Sequence, residues 1–301
     1  MSQAPGSQFE FDAIMGHIDT RLRQKNVQIH ARASHAALEY SARYKLEFPM
    51  ARTGDVGTTG NYADAKVDAH IRAWFDLKYG DRQKIFMGTG TTVLLIRGDP
   101  WEVRLPRIFG EVECVAERNF DKHKNEPSIG ANGRRPVVNV LSLVRSLPPG
   151  LAAQLTDQEC WNILNTFRDT LDCMHAIGYL AGKPYIAEVR ADVTASVVHF
   201  FSLPPHYGQS KWASCQAAEK LLKCLLKVRG VAFPKNHDLE GLAVLARLQG
   251  AKVDSAAIAQ VAASASVRYG EVSASLAEAV AAHYGSLLTA QQVYAAIQAK
   301  V

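Results

Sequence analysis

Cysteine is scarce and poorly placed for pairing. The five, Cys114, Cys160, Cys173, Cys215 and Cys224, are odd in number and none are spaced as CxxC. That excludes a disulfide framework and a Cys-rich zinc site. Cys215 and Cys224 sit in an apolar helical pattern and read as small core hydrophobes. Long hydrophobic runs are also absent, since none approaches the roughly 20 residues of a membrane span. The start, MSQAPGSQFEFDAIM, has no basic head followed by an apolar block, so a soluble, cytoplasmic chain with no membrane partner is expected. Two glycine-rich stretches, Thr53–Asn61 and Gly88–Gly90, lack the Lys-Ser/Thr ending of a phosphate loop, and no GxGxxG, GxSxG or HExxH occurs. No metal or cofactor is expected. Aromatic residues are 8% of the chain, with no run of them to form a base-stacking platform.

What is present is an ordinary globular balance. The chain has 301 residues, 48% hydrophobic and 21% charged, with 34 Lys+Arg against 29 Asp+Glu and a net charge of +5. One large domain or two modest ones can be built from it. The mild basicity permits an anionic partner without requiring one.

The patterning predicts an α+β fold. Ile14, Ile18 and Leu22, then Ala36, Ala37, Tyr40 and Tyr44, keep helical spacing through a basic arm over 9–48 that carries Arg21, Arg23, Lys25 and Arg32. Val67, Ile71, Trp74 and Phe75 predict a second helix over 62–79. Residues 84–147 change to short β-prone runs and predict an antiparallel meander, interrupted by a polar, exposed loop over 118–136, with Val137–Val144 returning as a strand. Thr156 and Glu159 carry a capping-box signature. Cys160, Leu164, Phe167, Leu171 and Met174 then make an apolar stripe, and a further helix is predicted over 185–201, where SVVHFF suits a strand equally. SLPPHYG, Ser202–Gly208, is the predicted boundary between an α+β region, 1–202, and a helical region, 203–301.

The helical region opens with KWASCQAAEKLLKCLLKVRG. Gln216, Lys220, Lys223 and Lys227 fall on one stripe, and Ala218, Leu221, Leu222 and Leu225 on the opposite side. Gly230 suits a left-handed stop, Pro234 delays the next helix, and Asn236 or Asp238 is placed to cap it. Asp254 is placed to cap a third helix, and a last one runs from Leu276 to Ile297. The expected result is a bundle of four or five helices with short connections.

This order resembles the HEPN domain family. The phrases that carry the resemblance are QAAEKLLKCLL, FPKNHDL and the RYG directly before the closing helix, covering about residues 203–301. Nothing before residue 203 adds to it. The resemblance implies a bundle that self-associates or docks partners, and proteins that act beside nucleotides or RNA, often in toxin–antitoxin or phage-defence loci. Many family members are metal-independent ribonucleases that dimerise and carry an Arg and a His with four to six residues between them. The matching third lacks that pair, since seven residues separate Arg229 from His237 and Arg268 lies far from His283.

The expected function is therefore a non-catalytic HEPN-type accessory or binding protein. It would be a homodimer through the bundle, with RNA, a nucleotide or a protein encoded nearby as partner. The candidate contacts are Lys220, Lys223, Lys227, His237, Arg268, Arg134 and Arg135. The ordinary alternative for the lysines is the solvated side of an amphipathic helix, and for His237–Asp238 a turn and a cap. A second class of function, a metal-independent endoribonuclease, rests on RDTLDCMH, where Arg168 and His175 stand two helical turns apart on one face with Asn165 and Asp172. An Arg168–Asp172 ion pair on a wet face explains the same residues without catalysis, and Arg23 and His30 repeat the spacing. Asp99, Glu111 and Glu113 read as sheet-surface carboxylates, because Val115 stands where a nuclease of the restriction type needs Lys.

Overall fold

The computed structural model describes residues 4–47, 62–63, 66–83, 88–108, 110–120, 122, 135–234 and 237–299. The Thr53–Asn61 stretch, Asn236, Arg134 and most of the 118–136 loop lie outside the described residues. The chain forms two compact units, Met1–Phe86 and Met87–Val301.

In the first unit, α1 (Gln8–Gln24), α2 (Ile29–Tyr44) and α3 (Val67–Tyr79) surround one core. Ser7 caps α1 by accepting from the Glu10 amide. Phe11, Met15, Ile18 and Leu22 of α1 meet Ala36 and Tyr40 of α2 and Ile71 and Phe75 of α3. The small alanines let α2 approach closely, and Phe11 stacks on Tyr62 at 4.4 Å. Asp19 is fully buried in this core. Burial alone would raise its carboxyl. Hydrogen bonds from Tyr79 (2.6 Å) and Lys78 (2.9 Å) and the Arg32 charge outweigh that and hold it below its ordinary value. Arg32 is thus engaged inside the unit, and Arg21 pairs with Glu39.

The second unit starts with β1 (Gly90–Ile96) and β2 (Asp99–Leu105), an antiparallel hairpin in the register Gly90↔Leu105 to Ile96↔Asp99. Its two-residue turn, Arg97–Gly98, has positive φ at both positions (55° and 88°), matching the strand twist. Beyond the hairpin the expected antiparallel meander is corrected. β3 (Glu113–Val115) pairs parallel with β4 (Val137–Asn139) as a separate two-stranded sheet. The long connection between them can reverse the chain twice, which a tight turn cannot. Val137–Val144 does not continue as a strand either. Asn139 ends it, accepting from the Leu141 and Glu117 amides and donating to the Glu117 carbonyl, and a 3-10 turn follows over Val140–Leu143.

The rest is helical: α4 (Pro149–Ala153), α5 (Asp157–Tyr179), α6 (Ile186–Phe200), α7 (Tyr207–Val228), α8 (Leu239–Leu248), α9 (Ser255–Val261), α10 (Ala265–Arg268) and α11 (Leu276–Gln298). The Thr156–Glu159 capping box opens α5 as expected, a second, Ser275–Glu278, opens α11, and Asp238 and Asp254 cap α8 and α9. The α+β assignment stands in the form of a mostly helical chain with a small antiparallel hairpin.

Helix α7 is central. Twelve of its side chains are buried, on nearly every side. The expected boundary at Ser202–Leu203 falls inside the second unit, in the short turn between α6 and α7. Buried polar bonds cross it: Ser196 of α6 meets Ser210 (3.1 Å) and Ser214 (2.8 Å) of α7. The same Ser196 bonds His283 of α11 (3.2 Å), whose other nitrogen meets Thr92 of β1 at 3.0 Å. Tyr284 donates to the Val93 carbonyl at 2.6 Å. A hairpin, α6 and the bundle therefore share one interior, and Pro204–Pro205 marks an interhelical turn rather than a linker.

Candidate functional site

Two groups of expected contact residues are placed by the helices of the second unit. The first lies along α7. Lys220 donates to Asp192 of α6 at 2.5 Å, and burial pushes that carboxyl above its ordinary value despite the lysine. Lys223 donates to Glu219 at 2.6 Å, and His237 Nδ1 lies 3.0 Å from the same carboxylate. Glu219 is only 4% exposed, and both side chains meet its carboxylate where water scarcely reaches it. Lys223 also lies 5.9 Å from the centre of the Phe233 ring. The stripe is not the wet side of a surface helix. It is covered by α6 and by the segment after α7, and it fastens them to the central helix. Lys227, at the end of the stripe, is exposed and sits over Tyr185 at 5.4 Å. Arg268 stands apart at the end of α10, over Trp212 at 5.7 Å.

The second group lies along α5. Arg168, Asp172 and His175 all line one cleft of about 440 Å³, together with Arg135, Glu111 and Cys114. Two turns of helix bring Arg168 and His175 to the same side, as their spacing requires. The expected Arg168–Asp172 ion pair is replaced: Arg168 donates to the Cys114 carbonyl at 3.1 Å, tying α5 to β3. Arg135 pairs with Glu111 at 2.9 Å, both well exposed, so the pair is weak and exchangeable. His175 is half-buried and also lines a second cavity. Burial pushes the Cys114 thiol up, and those of Cys173 and Cys224 to about 12 and about 11, so none is a thiolate nucleophile near neutrality.

The cleft holds a base-capable imidazole, two guanidiniums and carboxylates at its rim. Such a set can bind a phosphate diester, with the cations meeting the anionic oxygens and His175 able to exchange a proton. No group of three or more His, Cys, Asp or Glu residues suited to a metal occurs among the described residues. No described helix is long and apolar enough to cross a membrane.

Sequence reasoning singled out Arg168, His175 and Arg135 but not their common cleft. It missed Asp192 and Glu219 altogether. Glu219 had a signal, four residues before Lys223 on α7. Asp192 had none, because its partner is 28 residues away. Compared with known proteins, the chain matches no family model, no curated protein and no solved structure.

Proposed function

We propose that the chain is a non-catalytic HEPN-type accessory protein that binds RNA through the α5 cleft. The observation that carries the reading is the division of its cations. Lys220 meets the half-buried Asp192, and Lys223 and His237 meet the buried Glu219, whereas Arg135, Arg168 and His175 face a common cleft with only exposed or backbone partners. The bundle supports self-association or docking of a neighbouring gene's product, in keeping with a toxin–antitoxin or phage-defence setting. Val244 and Leu248 are exposed, at 46% and 73%, one turn apart on α8, and give a dimer an apolar contact. A mobility-shift or filter assay with single-stranded RNA tests the reading. Affinity should fall steeply as salt rises, and it should fall further in Arg135→Gln and Arg168→Gln. No binding at low salt would leave only protein partners.

A second reading is a metal-independent endoribonuclease using Arg168 and His175. It is favoured by one observation, that both line the same cleft. RNA incubated with the protein in EDTA decides it: no cleavage removes the enzyme, and cleavage surviving His175→Ala removes this site.

A further inference from the structure

His175 also borders a second cavity, of about 740 Å³, formed by the start of β1, the segment after β2, the end of α5 and the first half of α6. We propose that this cavity is a binding pocket for a nucleoside 5′-phosphate. The proposal deepens the binding reading and rests on it in one respect, that the ligand is a nucleic-acid component.

The first argument is charge. Arg107, just after β2, and Arg190, in the second turn of α6, both line the pocket, and among the described residues no Asp or Glu does. Among the described residues, neither guanidinium has a carboxylate or carbonyl partner. Elsewhere in this unit Arg97, Arg118, Arg145 and Arg247 pair with Glu159, Asp157, Glu102 and Glu240, Arg229 donates to the Ala296 carbonyl, and Arg268 lies over the rings of Trp212 and Tyr269. Two unengaged guanidiniums from different elements, in one concavity with no opposing charge, suit a phosphate dianion.

The second argument is the wall. Ile108, Met174 and Ile177 supply an apolar surface, and His175 and Tyr179 supply flat rings. Tyr179 is 68% exposed and already stacks on Tyr294 at 5.4 Å, which holds its ring in place. A planar base gains by stacking on such a ring, whichever base it is. The volume lies in the range of small-molecule sites, about 300–1,000 Å³. Inorganic phosphate would leave the apolar wall wet, and a nucleoside alone would leave the arginines unanswered.

Gly90 shapes this wall. A Cβ there would take the place of the Met174 Cε, so glycine leaves that methyl its position at the start of β1.

The test is calorimetric titration of the full chain with AMP, adenosine, inorganic phosphate and a short 5′-phosphorylated oligonucleotide. AMP should bind at least tenfold more tightly than adenosine or phosphate alone. Arg107→Gln and Arg190→Gln should each weaken AMP about tenfold, the scale of one charge-assisted hydrogen bond. Both side chains are exposed, so the fold should persist, and an unchanged melting curve verifies that. Arg145→Gln, whose arginine pairs with Glu102 away from the pocket, should leave AMP binding unchanged. AMP binding equal to that of the oligonucleotide assigns the pocket to a free nucleotide. An oligonucleotide tighter by tenfold or more assigns it to the 5′ end of a strand. Absence of binding by both, equal binding of adenosine, or equal binding in both arginine variants would overturn the proposal. RNA affinity lost in Arg135→Gln and Arg168→Gln while AMP still binds would leave this pocket standing and separate it from the α5 cleft.

Discussion

The cations of α7 and those around α5 lie in the same unit and meet opposite fates. On α7, Lys220 and Lys223 reach half-buried and buried carboxylates, Asp192 and Glu219, and join α6 and the His237 segment to the central helix. Around α5, Arg135 and Arg168 touch only an exposed carboxylate and a backbone carbonyl, and they border open space. Like charges in similar helical spacing thus do different work. Where α6 covers the helix, a lysine becomes structural. Where nothing covers it, an arginine remains available to an anion.

The largest expected break in this comparison comes from Glu219→Ala. It would remove the buried carboxylate that Lys223 and His237 share, and should cost about 3 kcal/mol in urea unfolding. A cost near zero would return the stripe to the solvated face that the sequence suggests. Acid should act almost as strongly, through His283. Burial holds this imidazole at a pKa of about 4, against its ordinary 6.5. The unfolded chain therefore binds a proton between those values that the folded chain does not. Stability should fall as pH drops from about 6.5 to about 4, by about 3 kcal/mol in all, and stay level above that window. Urea midpoints across this range, compared with those of His283→Gln, check it. Lys220→Ala should cost about 1–2 kcal/mol, because its ion pair is only partly buried, and should leave RNA affinity unchanged. The smallest effect on stability, within about 0.5 kcal/mol, is expected for Arg135→Gln. That variant should instead reduce the salt dependence of RNA binding, by about 0.7 in the log–log slope.

Local features were legible in the sequence because local chemistry decides them. Thr156 with Glu159, Asp238 and Asp254 each satisfy an amide two or three residues away, so caps and helix starts could be read directly. The α6 helix over Ile186–Phe200 follows from a continuous apolar pattern that also suited a strand. Long-range pairing was not legible. The parallel β3–β4 ladder joins residues more than twenty apart, and the Thr92–His283 contact joins residues 191 apart. The boundary expected at Ser202 failed for the same reason: Pro204 and Pro205 mark a break in a helix but say nothing about the serines that bond across it. In the candidate site, the Arg168–His175 spacing was visible. The carbonyl of Cys114 that replaces Asp172 as the Arg168 partner comes from a strand 54 residues earlier. Arg107 and Arg190 drew no notice, because only folding brings them to one pocket.

The central claim is that the α5 cleft, and not the α7 stripe, meets nucleic acid. Filter binding of single-stranded RNA at about 50 and about 200 mM salt tests it most directly, with an Arg135→Gln/Arg168→Gln variant beside Lys220→Ala. The account predicts salt-sensitive binding by the parent chain, about tenfold or greater loss in the arginine variant and no loss in Lys220→Ala. Loss confined to Lys220→Ala, in a protein whose melting curve is unchanged, would contradict it.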